Sequence, residues 1–180
     1  MTIDFKKLIK NKYFVLNVLL ILGMLDSAFL MYEHYAPAAT SFCSFGEGVD
    51  CGIVNKSPYA TLDGLSYLLT IDYGLPIPLI DIAGIHPILE FFTMNSTLGL
   101  ITLLFIAFLL KLQKDKKDFK FIKHEKIDLY VRGILGFGIF YGMYLVYIQH
   151  WIIKTWCPFC LVLDALLITL FLVHWKMRGE

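Results

Sequence analysis

Four apolar segments, each long enough to cross a lipid bilayer, constrain this 180-residue chain more than any other feature. A helix rises 1.5 Å per residue, so about 20 apolar residues cross the ~30 Å hydrocarbon core. The segments are residues 13–35, 88–112, 129–151 and 158–176. Hydrophobic residues make up 58% of the chain, more than a water-soluble domain of this size usually contains. We therefore predict an all-α integral membrane protein, a four-transmembrane-helix bundle.

The residues between the first and second segments form a different kind of structure. Residues 36–87 contain five prolines and four aspartates, so they are too interrupted to span a bilayer. We expect them to form a cap that contains a short half-helix, at about residues 58–73, and an apolar loop. Residues 113–128 are expected to link the second and third segments. The prediction is a single membrane domain over residues 1–180, without a fused thioredoxin domain.

The distribution of positive charge predicts the orientation of the chain. Fourteen of the sixteen lysines and arginines lie before the first segment, around the 113–128 link or after the fourth segment. Only Lys56 and Lys154 lie on the other side. Because cytoplasmic loops carry the excess of lysine and arginine, we expect a multi-pass protein of the cell membrane with both termini in the cytoplasm and an extracytoplasmic cap. A net charge of +1 gives no reason to expect nucleic-acid binding.

The four cysteines fall into two pairs on the predicted extracytoplasmic side. Cys43 and Cys51 lie in the cap, whereas Cys157 and Cys160 open the fourth segment in the sequence CPFC. A proline after the first cysteine suits the first turn of a helix, whose positive end favours a thiolate. Such a pair can close into a disulfide that another thiolate reopens. We expect Cys160 to face the bundle and Cys157 to lie at the outer rim.

Two other interpretations of these cysteines remain open: a structural zinc site and two inert disulfides. The spacing of Cys43 and Cys51 is wider than that of a usual zinc ligand pair, and the oxidising side of the membrane favours thiol exchange. Electrons that reach Cys157 and Cys160 need an acceptor, but the chain has no dinucleotide-binding glycine motif and no haem-attachment motif. A quinone dissolved in the membrane is the simplest acceptor.

These motifs resemble the vitamin K epoxide reductase family, including its prokaryotic members that form disulfides. The resemblance lies in the cap pair CSFGEGVDC, in NKSPYA with Ser57 six residues after Cys51, and in the late CPFC. It extends over about residues 23–170. The order of the pairs distinguishes it from the unrelated DsbB type of quinone-linked oxidase, which has its CxxC early and its wider pair late.

The resemblance implies a four-helix bundle around a quinone, either ubiquinone or menaquinone. Cys43 and Cys51 would carry electrons from a separate thioredoxin-fold (DsbA-like) protein to Cys157 and Cys160, and Cys160 would reduce the quinone. Exposure and the family pattern favour Cys43 for contact with the partner and Cys51 for exchange with Cys157.

Further residues gain expected roles from the resemblance or from their depth in the membrane. Ser57 would help to hold the cap, and Asn95, in MNSTLG, would bind a quinone carbonyl. Asp164 stands where vertebrate members carry a tyrosine associated with vitamin K chemistry, which favours the disulfide-forming branch. Asp164 and Asp26 lie deep in their segments, so we expect one or both to deliver protons to the reduced quinone or to polarise Cys160. A packing role in hydrogen bonds between helices is the alternative.

The sequence thus predicts a quinone-dependent oxidoreductase that regenerates a thioredoxin-fold disulfide donor outside the cytoplasm. The first alternative is a vitamin K epoxide or quinone reductase driven by a reducing thioredoxin-like partner. The second is a non-enzymatic membrane protein with structural disulfides or a zinc site, although we expect no metal. Glu33 and His34, at the end of the first segment, are expected to be solvated or to contact the cap.

Overall fold

The computed structural model describes residues 12–37, 43–115 and 124–176, and their regular structure is helical. In chain order, the α-helices of this part are α1 (Lys12–Tyr35), α2 (Cys51–Asn55), α3 (Gly64–Tyr67), α4 (Pro87–Thr93), α5 (Asn95–Asp115), α6 (His124–Tyr147) and α7 (Pro158–Lys176). A π-helical stretch, Ile148–Ile153, continues α6. Four helices are long and apolar enough to cross a membrane: α1, α5, α6 with its extension, and α7.

The four long helices form one bundle. Helix α1 packs against α5 and α7, and α6 packs against α5 and α7. Large aliphatic side chains from all four helices fill the centre, among them Leu20, Leu103, Leu135 and Leu170, each 1% exposed. Many other large apolar side chains remain exposed on the outside, where a bilayer would cover them. The predicted four-helix membrane fold is confirmed.

The second membrane helix begins later than the sequence predicts. Residues 88–93 are not part of it; they belong to the short helix α4, whose first residue is Pro87 and whose N-cap is His86. The chain leaves the helical conformation at Met94, which has a ψ angle of 134°. There the Leu62 N–H donates to the Thr93 carbonyl, so a contact with the cap breaks the helix. The start predicted at residue 88 is wrong because apolar composition alone did not show this break.

The third helix also differs from its predicted bounds, and the predicted half-helix of the cap is divided. Helix α6 begins at His124 rather than at residue 129, and its π-helical extension runs to Ile153. In the cap, residues 58–73 form a 3₁₀ turn, helix α3 and a π-helical turn instead of one continuous helix. The cap therefore consists of short turns that cover one end of the bundle.

Candidate redox site

The four cysteines meet where the cap joins the bundle. Cys43 and Cys51 form one disulfide, with 5.4 Å between their Cα atoms, and Cys157 and Cys160 form another, with 5.2 Å between theirs. Three of these residues pack with Leu30 of α1 in a single buried cluster, and Cys160 lies at its edge. The sequence placed the two pairs on one side of the membrane, and the structure brings them into one cluster.

A flap, residues 43–50, holds the first cysteine pair over the second. It turns back on itself at Gly46 and Gly48, whose φ angles of 113° and 80° favour glycine. The Asp50 N–H donates to the Trp156 carbonyl over 3.0 Å, and the Trp156 N–H donates to the Gly48 carbonyl over 2.8 Å. Because Trp156 directly precedes Cys157, these two hydrogen bonds fix the flap against the start of α7.

The flap changes the expected exposure of the cysteines. Cys43, Cys51 and Cys157 are each 0% exposed, so the expectation of a Cys157 at the outer rim and an exposed Cys43 is wrong. The physical reason is that the flap and α2 cover the beginning of α7. In this conformation the sulfur atoms are shielded from water, and contact with a partner protein requires the flap to move.

The start of α7 is arranged to stabilise a negative charge on Cys157. The Cys160 N–H donates to the Cys157 Sγ atom over 3.1 Å, as expected for a sulfur at the N-cap of a helix. The Cys157 N–H donates to the Oε1 atom of the buried Gln149 over 2.8 Å. Gln149 was missed by the sequence analysis, because the π-helical turn that brings it beside Cys157 has no clear sequence signal.

Cys160 lines a small cavity of about 70 Å³ beneath the cap. The polar side chains around this cavity include Asn55, Ser57, Asn95, Gln149 and Asp164. The cavity shares four lining residues with a larger, mainly apolar cavity of about 380 Å³ between α5, α6 and α7. The shared residues are Asn95, Leu145, Leu163 and Asp164. The two cavities therefore adjoin each other, and Cys160 lines the smaller one.

Ser57 and Asn95, both predicted as site residues, line the small cavity and contact the cap. The Ser57 hydroxyl donates to the Val54 carbonyl over 2.7 Å and so closes the end of α2. The Asn95 Nδ2 atom donates to the Tyr59 carbonyl over 2.9 Å, and its Oδ1 atom accepts from the Tyr141 hydroxyl over 2.8 Å. Asn95 thus links the cap to α6, a contact that the sequence did not predict.

Tyr59 borders the same cavity from the cap side. Burial raises the pKa of its hydroxyl above the ordinary value, and the Asp72 carboxylate, which accepts a hydrogen bond from that hydroxyl, raises it further. Tyr59 is therefore neutral at physiological pH, and its hydroxyl serves as a hydrogen-bond donor.

The two predicted intramembrane aspartates lie near each other. Asp164 lines both cavities, whereas Asp26, on α1, is 8% exposed and lies within electrostatic range of Asp164. The Oδ2 atom of Asp26 has no hydrogen-bond partner among the described residues. A Cβ atom at Gly142 would overlap the Asp164 carboxylate, so this glycine makes room for the acid on α7.

The structure separates the expectations for Glu33 and His34. The ring of His34 contacts the cap as predicted: its Nδ1 atom bonds to the Asn55 carbonyl and its Nε2 atom lies 3.0 Å from Glu90 Oε1. Glu33 is not solvated, since it is only 1% exposed.

We predict that Tyr141→Phe destabilises the fold by about 1 kcal/mol, because it removes the hydrogen bond to Asn95 Oδ1. Tyr144→Phe is the matched control, since the Tyr144 hydroxyl is buried without a partner among the described residues. It is expected to be neutral or slightly stabilising. Denaturation of both variants in detergent measures the difference, and equal stability would contradict the role assigned to Asn95.

The chain matches the family model of the Vitamin K epoxide reductase family over residues 14–175. This range includes all four membrane helices, the cap and both cysteine pairs. Among curated proteins, no match to the chain is found. The chain therefore belongs to the vitamin K epoxide reductase family, and is a membrane thiol oxidoreductase.

Proposed function

We propose that this protein transfers electrons from a separate thioredoxin-fold (DsbA-like) protein to a membrane quinone, and so regenerates that partner as a disulfide donor. The observation that carries the proposal is the position of Cys160. It borders the buried cluster that contains the other three cysteines, and it also lines the small cavity that adjoins the apolar one. A sulfur atom in this position is suited to exchange with the flap on one side and with a membrane-soluble acceptor on the other.

The thiol chemistry takes place in two exchanges. A partner thiolate attacks Cys43, which breaks the Cys43–Cys51 bond, and the second partner cysteine then resolves the mixed disulfide and leaves the flap as a dithiol. The Cys51 thiolate next attacks the Cys157 sulfur, and the bond between Cys157 and Cys160 breaks with Cys160 leaving as a thiolate. Cys43, Cys51 and Cys157 are buried, which supports a flap that opens for the first exchange and closes for the second.

The cavities fit a quinone by size and by lining. The larger one, about 380 Å³, is bordered by leucines, isoleucines and glycines, which suits an isoprenoid-bearing ring that enters from the bilayer. Its polar end holds Asn95, whose amide retains a second N–H for a carbonyl oxygen after its bond to Tyr59. When bound, a quinone accepts two electrons and two protons. Asn95 would hold the ring near Cys160, and Ser57 would support the cap above it.

Asp164 and Asp26 are our candidates for holding those protons. Asp164 lines the cavity beside Cys160, and the unpartnered oxygen of Asp26 lies close by. The presence of Asp164, where vertebrate members carry tyrosine, also favours disulfide formation over epoxide reduction. A rate of quinone reduction that stays at the wild-type value across pH in Asp164→Asn and Asp26→Asn would assign both residues to packing instead.

The distribution of lysine and arginine supports an extracytoplasmic cap in the cell membrane, with both termini in the cytoplasm. A thioredoxin-fold partner outside the cytoplasm could then reach the flap, and its disulfide would persist there. Labelling intact cells with a membrane-impermeant thiol reagent after reduction tests this orientation. Modification of Cys43 or Cys51 is expected, whereas labelling only after cell lysis would contradict it.

The number of quinone molecules consumed per protein tests the proposed electron path. Four cysteine thiols carry four electrons, so the fully reduced wild-type protein should consume two equivalents of a quinone analogue under anaerobic conditions. Cys43→Ser removes the flap pair and should leave one equivalent. Cys160→Ser removes the sulfur that faces the cavity and should lower the rate by at least about 10²-fold, as expected for loss of a catalytic nucleophile. Absorbance of ubiquinone and menaquinone analogues follows the reaction.

Thiol counting after alkylation provides the control for this measurement, because it shows that each variant was fully reduced before mixing. Quinone consumption that survives Cys160→Ser would overturn the assigned chemistry. Metal analysis of the same samples separates the redox proposal from a structural zinc site.

A further inference from the structure

Glu33 is a buried acid to which the electron path assigns no role. Its side chain is 1% exposed, and neither carboxylate oxygen has a hydrogen-bond partner among the described residues. Burying a carboxyl group without a hydrogen-bond partner costs folding free energy, whereas burying an apolar side chain of similar size is favourable. If the side chain at this position served only for packing, leucine or methionine would be more stable here than glutamate. The position of Glu33 therefore needs a chemical explanation.

Glu33 lies one helical turn after residues of α1 that contact the cysteine cluster and the start of α7. Below it on α1, Leu30 packs with Cys43, Cys51 and Cys157, and the ring of Phe29 lies 4.5 Å from that of Phe159. Helical side chains tilt towards the N-terminus, so the carboxyl group of Glu33 covers the turn that contains Leu30 and Phe29.

The turn above Glu33 is fastened to the end of α2. The His34 ring bonds to the Asn55 carbonyl, and the Lys56 ammonium group donates to the Ala36 carbonyl. Glu33 therefore lies between two fixed points, one at the start of α7 and one at the end of α2. Those two helices begin beside the two cysteine pairs, at Pro158 and at Cys51.

We propose that Glu33 accepts and returns the proton that thiol–disulfide exchange between the flap pair and the CPFC pair requires. The inference rests on the proposed function and adds a proton carrier to it. A cysteine thiol is a poor nucleophile until it loses its proton, and water is excluded from this cluster. A carboxylate enclosed with the cysteines supplies a base at the place where bulk water cannot.

The exchange begins with the flap pair as a dithiol and the CPFC pair as a disulfide. Cys51 transfers its thiol proton to the Glu33 carboxylate. The Cys51 thiolate forms a bond to the Cys157 sulfur, the Cys157–Cys160 bond breaks, and Cys160 leaves as a thiolate. Cys43 then attacks Cys51, its proton passes to the departing Cys157 sulfur, and the carboxyl group of Glu33 releases its proton to the Cys160 thiolate.

Other titratable groups on α1 and on the elements next to it also bear on the pH dependence. His34 and Asp26 lie on α1 itself, and Glu90 on α4 bonds to His34. The N-cap of α2 is Asp50, which is engaged by the Ile53 N–H. Further groups on the adjoining elements include Lys56 after α2, His150 and Lys154 before α7, and Asp164 within α7.

The test follows the two cysteine pairs separately. Fully reduced protein is mixed anaerobically with excess ubiquinone-1, quenched with an alkylating reagent, and analysed by mass spectrometry for free thiols at each pair. In Glu33→Gln, oxidation of Cys157 and Cys160 should keep its wild-type rate, which also shows that the variant is folded. Oxidation of the flap pair should slow by about 10²-fold at pH 6.5, the usual size of a general-base effect.

The pH dependence separates proton transfer from a structural role. Near pH 9.5 a cysteine thiol ionises without help, since its reference pKa is about 8.5. At that pH the flap pair should therefore be oxidised in Glu33→Gln at a rate within about threefold of the wild-type rate. Glu33→Asp keeps a carboxyl group and should recover at least about a tenth of the flap-pair rate at pH 6.5. Glu47→Gln is the matched control, because Glu47 lies between the flap cysteines but is exposed, and it should match wild type.

Each outcome has one meaning. Wild-type oxidation of the flap pair by Glu33→Gln at pH 6.5, or a defect of equal size at both pH values, would overturn the role of Glu33. A failure of the proposed function is different: the wild-type protein itself would then leave both pairs reduced in the presence of ubiquinone-1.

Discussion

Two backbone hydrogen bonds between the flap and Trp156 determine how the rest of this site works. They pair Gly48 and Asp50 with the residue before Cys157, and so hold one disulfide directly over the other. Backbone pairing of this kind is strong enough to hold a short loop closed, at roughly 0.5–1.5 kcal/mol per bond, and weak enough to be broken repeatedly. The cysteines are buried and shielded from water because the flap is in this closed position. The same pairing must open for a partner to reach Cys43.

The membrane bundle provides the rigid half of the site. Helices α1 and α7 pack along their lengths, which fixes the CPFC turn and the acids at Asp26 and Glu33 relative to each other. Such polar groups are costly within a membrane protein and are usually retained for function. Asp164 lines the two cavities beside Cys160, whereas Asp26 and Glu33 lie on α1.

Much of the fold could be predicted from the sequence, because the properties concerned are local. The length and composition of an apolar run decide whether it can span a bilayer, and proline in CPFC marks the start of α7. The sequence could not reveal contacts that form only through space. The break at Met94 depends on the bond between Leu62 and Thr93, and the burial of Glu33 is not apparent from its position near the end of an apolar segment. The position of Gln149 depends on a π-helical turn that no residue pattern indicates.

Trapping the intermediate between the two pairs tests the central claim most directly. In a Cys160→Ser variant, Cys157 can attack the flap disulfide, but Cys160 is not there to break the mixed disulfide that results. Digestion under non-reducing conditions followed by mass spectrometry should identify a peptide pair joined through Cys51 and Cys157, with Cys43 free, and the pair should be lost when Cys51→Ser is added. A Cys160→Ser protein that keeps the Cys43–Cys51 bond intact and leaves Cys157 fully open to alkylation would contradict exchange between the flap and the membrane helix.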